Sequence, residues 1–170
     1  MKVYKEIDLK WIKDLRSGAV CIHPTDTAWA LSCSAFSKKG VLRLNDICKN
    51  DNFSPPTILI DSVARLKKYV YRLHPRIETL LSYHHRPLIL LFSEIKMLPT
   101  HLLDDKGCAA LCIVHDHRIK KLIKSLNQPL IYCSLKTNSS ELQTKLYCIA
   151  DEIKEKVNFV YHPSGALFNQ

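Results

Sequence analysis

The chain has 170 residues, enough for one domain with a buried core, and its 46% hydrophobic and 24% charged residues are ordinary for a globular protein. No apolar run is long enough to cross a bilayer, and the opening MKVYKEIDLKWIKDL lacks the apolar centre and cleavage site of a signal peptide, so a cytoplasmic protein without membrane attachment is expected. A net charge of +9 suits a polyanionic partner, although a solvated lysine surface gives the same balance.

Helical and strand-like segments alternate from end to end, with no repeat, low-complexity tract or linker, so residues 1–170 read as a single domain. Asp8 can cap a first helix that presents Trp11, Ile12 and Leu15 on one face and closes at Gly18. Ala19 to Ile22 and Trp29 to Cys33 read as strands on either side of the corner Pro24-Thr25-Asp26-Thr27. Ser37 can cap a second helix with Val41, Leu44 and Cys48 inward. Thr57 to Ile60 is a short apolar strand, and Asp61 or Ser62 opens a third helix with Val63, Leu66 and Val70 inward.

Pro75 suits the first position of a fourth helix. Leu88 to Phe92 is a continuous apolar run, which predicts a central strand. Ala109 to Val114 is another strand. Asp116 can cap HRIKKLIKSL, whose Ile119, Leu122, Ile123 and Leu126 share a face. Leu130 to Cys133 is a strand, Ser140 to Ile153 a helix, and Phe159 to Tyr161 a short strand. The sum is an α/β chain of about seven strands and six helices. Ile22 and Trp29 are too close for a helical crossover, so the sheet should be mixed.

Seven cysteines occur without a CxxC pair, and Cys21, Cys33, Cys112 and Cys133 sit in strand-like runs where a reduced thiol packs as a small hydrophobe. His84 and His85 are adjacent, and His115 and His117 flank the cap Asp116, which is no zinc spacing; no metal ligands are expected. Glycine-rich phosphate loops and a GxSxG elbow are absent from the sequence. PTDT could hold a carboxylate or phosphate with its hydroxyls and backbone N–H groups, but read alone it fits an ordinary turn better. YCSLKTNSS at 132–140 lies beyond a strand's carboxyl end, where open α/β sheets bind ligands, and fits a polar capping loop as well.

Seven pieces follow one another with characteristic spacing: PTDTAWALSCSA at 24–35, ICK at 47–49, SPPTILIDS at 54–62, RPLILLF at 86–92, ALCIV at 110–114, QPLIYCS at 128–134 and HPS at 162–164. Together they resemble the YrdC-like family of threonylcarbamoyl-AMP synthases, over almost the whole chain. The resemblance implies a twisted mixed sheet around a large basic cavity. It implies condensation of L-threonine, bicarbonate and ATP with release of pyrophosphate, and partner proteins that pass the threonylcarbamoyl group to an adenosine beside the tRNA anticodon. It also implies double-stranded RNA binding. Residue by residue, Thr25, Thr27 and Trp29 match positions that hold the amino acid. Lys49 matches a catalytic lysine. Ser134, Lys136 and Ser164 fall at nucleotide-binding positions. ATP and magnesium are expected only if the activity is retained, and no tightly bound cofactor is expected.

The departures from the family pattern are numerous. Ala30 and Ser34 replace a glycine and an aspartate, Asp51 stands at an arginine, and Ser54 replaces a lysine. Ile89 stands at the threonine of Pro-L-T and Cys112 at the arginine of R-[IV]-P. Tyr132, Cys133, Leu135 and Lys136 replace Ser, Thr, Ala and Asn around the surviving Ser134. Adenylyl transfer depends on fixed positive charge, so the expectation is a divergent member with weak or absent synthesis that retains nucleotide or double-stranded RNA binding. One alternative is an active synthase rearranged around Lys49, Lys136, Ser134, Thr25 and Thr27, which requires both amines to converge. Another is an RNA-binding module without a small-molecule site, using Arg118, Lys120, Lys121 and Lys124.

Overall fold

The computed structural model describes residues 2–4, 7–25, 29–49, 53–136 and 151–161. In chain order the elements are β1 (Lys2–Tyr4), α1 (Leu9–Arg16), β2 (Cys21–Pro24), β3 (Trp29–Ser34), α2 (Lys38–Ile47), β4 (Thr57–Ile60), α3 (Val63–Tyr69), α4 (Pro75–Tyr83), β5 (Ile89–Phe92), β6 (Ala109–Ile113), α5 (His117–Leu126), β7 (Leu130–Ser134), α6 (Asp151–Lys156) and β8 (Phe159–Tyr161), with a 3₁₀ turn at Thr100–Leu102. The strands form one mixed sheet in the order β1-β8-β2-β3-β7-β4-β6-β5. The seven expected strands are all there, and β1 adds an eighth. Of the helix expected over Ser140 to Ile153, only the end belongs to α6; residues 140–150 lie outside the described residues.

Local chemistry fixes the helix starts. Asp8 accepts from the Trp11 N–H at 2.7 Å, Ser37 from Gly40, Ser62 from Arg65, and Asp116 from both Arg118 and Ile119. Each cap satisfies backbone donors that the first turn leaves without partners. Gly18 follows α1 with φ of 91°, a left-handed conformation that suits glycine. A Cβ there would stand 2.7 Å from the Ser37 hydroxyl, so the end of α1 and the start of α2 meet at this glycine.

Strand alternation sorts the side chains into two layers. Cys21, Leu59, Cys112, Leu130 and Phe159 face α1 and α5, whose Trp11, Leu15, Ile119, Leu122, Ile123 and Leu126 are buried against them. Ile22, Trp29, Leu31, Cys33, Ile131 and Cys133 face α2 on the other side. Ile58 pairs with Ile131, so the cluster of Ile58, Ile60, Leu66, Tyr69, Leu111 and Ile113 continues that second layer beneath α3. Cys21, Cys33, Cys112 and Cys133 are all buried, as expected of packed thiols.

One strand differs from expectation. The run Leu88 to Phe92 predicts a central strand, but β5 is the edge of the sheet. Leu90 and Phe92 turn toward the second layer, while Ile89 and Leu91 are 55% and 70% exposed on the α1/α5 side. A central strand and a one-sided apolar edge have the same composition, and only the topology separates them. Among the described residues, the α1/α5 layer thus stops short of β5 and leaves the sheet surface there uncovered.

Candidate functional site

The uncovered surface is the floor of a cavity of about 560 Å³. Leu59 pairs with Cys112 and Cys112 with Ile89, so these three side chains lie side by side across β4, β6 and β5 on one face. Tyr132 stands two residues along β7 from Leu130, the partner of Leu59, and adds an aromatic wall. The turn between α4 and β5 brings in His85, Arg86 and Pro87, while Val114 and Thr25 complete the described lining.

Thr25 reaches this cavity through its anchored strand. In the β2–β3 ladder, His23 lies opposite Ala30 and Pro24 opposite Trp29. The His23 ring is fully buried, with Nδ1 3.1 Å from the Pro24 carbonyl oxygen and Nε2 2.6 Å from the Ser32 hydroxyl. A carbonyl only accepts, so Nδ1 carries the proton, and Nε2 accepts from Ser32. The ring thereby fixes the carbonyl immediately before Thr25.

Burial pushes the His23 pKa below its ordinary 6.5, opposed by the Pro24 carbonyl and the Asp116 carboxylate and assisted by the Arg118 guanidinium. Below that value the unfolded chain takes up a proton that the folded ring resists. Stability is therefore full above 6.5 and falls with pH, by up to about 1.4 kcal/mol per unit, until the lower folded-state value is passed. His23→Gln should flatten this decline in denaturant titrations run on either side of the window. A wild-type profile no steeper than the variant's would contradict it.

The other sequence-derived positions divide. Trp29 packs in the opposite layer with Ile22, Leu31 and Phe53, because its partner Pro24 lies one residue, and hence one face, away from Thr25. Lys49 lies just beyond α2. Its side chain is 74% exposed, and its Nζ is 2.8 Å from Asp46, whose carboxyl the ammonium holds below the usual range. Ser134 is tied to the loop before β4: its N–H donates to the Ser54 hydroxyl at 2.9 Å, and the Ser54 N–H donates to its carbonyl at 2.8 Å. Lys136 is exposed. Neither lysine is among the described residues lining the cavity. Thr27, Asp51 and Ser164 lie outside the described residues.

Of the α5 strip, Lys121 and Lys124 are exposed, Arg118 and Lys120 are half-buried, and Arg118 is bonded to Asp116 at 3.1 Å. Among the described residues, no group of three or more His, Cys, Asp or Glu is placed to hold a metal ion, and no helix is long and apolar enough to cross a membrane.

Arg86 and His85 escaped the reading of the motifs. The available signal was Arg86-Pro87 directly before an apolar run. A proline holds the preceding residue extended and so places it at a strand entrance. Three family departures, Ile89, Cys112 and Tyr132, meet on the wall of this same cavity.

The protein is thus an α/β domain with an open mixed sheet and, among the described residues, a cavity of ligand size at one edge. A family model, Sua5_yciO_yrdC, described as "Telomere recombination", matches residues 13–166, and the chain belongs to this family. An uncharacterized protein of Haemophilus influenzae is 23% identical over 154 residues, covering 89% of this chain and 74% of its own. E. coli YciO superposes with a TM-score of 0.76 at 19% identity, over 96% of this chain and 85% of that one. P. abyssi Sua5 complexed with L-threonine gives 0.75 at 18% identity, over 96% of this chain but only 50% of Sua5. These two superpositions establish a shared fold.

Proposed function

We propose that this chain binds a small molecule in the cavity beside Thr25, and that its synthesis of threonylcarbamoyl-AMP from ATP, L-threonine and bicarbonate is weak or absent. Nucleotide or double-stranded RNA binding, in or near the cavity, is the function it retains. One observation carries the reading: Ile89, Cys112 and Tyr132, which depart from the synthase pattern, stand together on one cavity wall. A lost preorganised contact to a reacting phosphate costs about 3 kcal/mol, or on the order of a hundredfold in rate. Cys112 is neutral where the family pattern has a guanidinium, and Lys49 spends its charge on Asp46. The complex of P. abyssi Sua5 with L-threonine supports testing that amino acid first. ATP and magnesium belong to the scheme only if turnover survives.

The two substrates of a working synthase should assemble one site and strengthen each other's binding. Calorimetric titration of L-threonine and of ATP, separately and together, is expected to show no such strengthening here. A gain in either affinity of about tenfold or more when the other is present would overturn the reading.

A further inference from the structure

The cavity lining contains an arginine and no carboxylate among its described residues. Arg65 is bonded to Asp61 and Arg118 to Asp116, but the Arg86 guanidinium has no acidic partner among the described residues. A guanidinium presents its donors in a planar fork that matches a carboxylate or phosphate. Its backbone is held from both sides. The His84 Nδ1 lies 2.8 Å from the Arg86 carbonyl oxygen and 3.2 Å from its nitrogen, so either tautomer of that ring secures it. Pro87 then restricts Arg86 to extended conformations. An exposed arginine whose backbone is held where it lines a largely apolar cavity, with His85 next to it in the lining, can receive an anion.

The remaining walls describe the rest of the ligand. Leu59, Cys112 and Ile89 make an apolar floor, and Tyr132 offers an aromatic ring. We propose that Arg86 is the specificity-determining anchor of the cavity. Its ligand is a compact amphipathic anion: one carboxylate or phosphate monoester on a planar or branched apolar body. A nucleoside triphosphate spreads several negative charges, more than the one guanidinium among the described lining residues balances, so within the nucleotide reading a monophosphate is the better match. This inference rests on the reading of the cavity as a ligand site.

The test is a ligand-observed NMR titration with phenyl phosphate, benzoate and the neutral analogue benzyl alcohol. The anions are expected to bind at least about tenfold more tightly than the alcohol, as one charge-assisted bidentate contact provides. Arg86→Ala should abolish that preference and Arg86→Lys restore part of it. Arg76→Ala, which removes an exposed arginine on α4 outside the lining, should leave it intact. Tighter phenyl phosphate would assign a phosphate ester and tighter benzoate a carboxylate, and either supports the proposal. Equal binding of the alcohol, or a preference unchanged in Arg86→Ala with an unchanged thermal midpoint, would overturn it. Efficient pyrophosphate release alongside an Arg86-dependent preference would defeat the proposed function and leave this inference standing. An Arg86-independent preference without turnover would do the reverse.

Discussion

Replacing Trp11 by alanine is expected to destabilise the fold by about 3–5 kcal/mol, the usual cost of emptying a large aromatic site in a core. Trp11 is wholly buried. Its ring stacks on Tyr161 with centroids 4.5 Å apart and meets Phe159 edge-on at 5.7 Å. Its backbone N–H is the donor that Asp8 receives at the start of α1. A single side chain thus joins α1 to β8, and β8 lies parallel to β2, the strand that leads to Thr25. No smaller neighbour can fill the space, because Leu15 and Phe159 are fully buried in their own positions. Trp11→Phe should recover part of the loss by retaining a ring. Equilibrium denaturation of both variants checks this, and a cost below about 1 kcal/mol for the alanine would contradict the packing described.

Much of this layer was legible from residue types. Asp8, Ser37, Ser62 and Asp116 cap helices because short polar side chains before an apolar periodicity have few other uses. The inward faces of α1 and α5 followed from the helical period. The position of β5 was not legible, since ILLF reads alike at the centre of a sheet and at an edge packed on one side. Edge status follows from pairing with β6 alone, a long-range fact absent from local pattern.

The site was legible in the same uneven way. Thr25 was marked by the corner it occupies, and it does line the cavity. Trp29 matched an aromatic position in the motif, but strand alternation sends it to the α2 layer. Its side is set by the register Pro24 to Trp29, and a shift of one residue would reverse it. Lys49 carries the right chemistry, yet the helix end that bears it also places Asp46 within reach. Arg86 belongs to no periodic element, and its one signal, Arg86-Pro87 before an apolar run, gained meaning only when the α4–β5 turn met Tyr132 and Cys112 in space. Departures scattered over more than forty positions, from Ile89 to Tyr132, likewise gained meaning from being neighbours.

That convergence yields the second large effect. On the proposed reading, an arginine position filled by Cys112, a threonine position by Ile89 and a serine position by Tyr132 remove more than one contact to the reacting groups. Such losses do not add simply, because the groups act together. Even one lost contact of this kind removes on the order of a hundredfold in rate. On that reading binding need not vanish with turnover, since the cavity, the anchored Thr25 and an Arg86 without an acidic partner among the described residues are all in place.

The most direct test of this account is pyrophosphate release from ATP in the presence of L-threonine, bicarbonate and magnesium, measured beside a relative whose synthase motifs are intact. The account predicts release at least about a hundredfold slower than by that relative. Turnover within about tenfold of the relative would mean that the substituted wall still stabilises the transition state, and would contradict it.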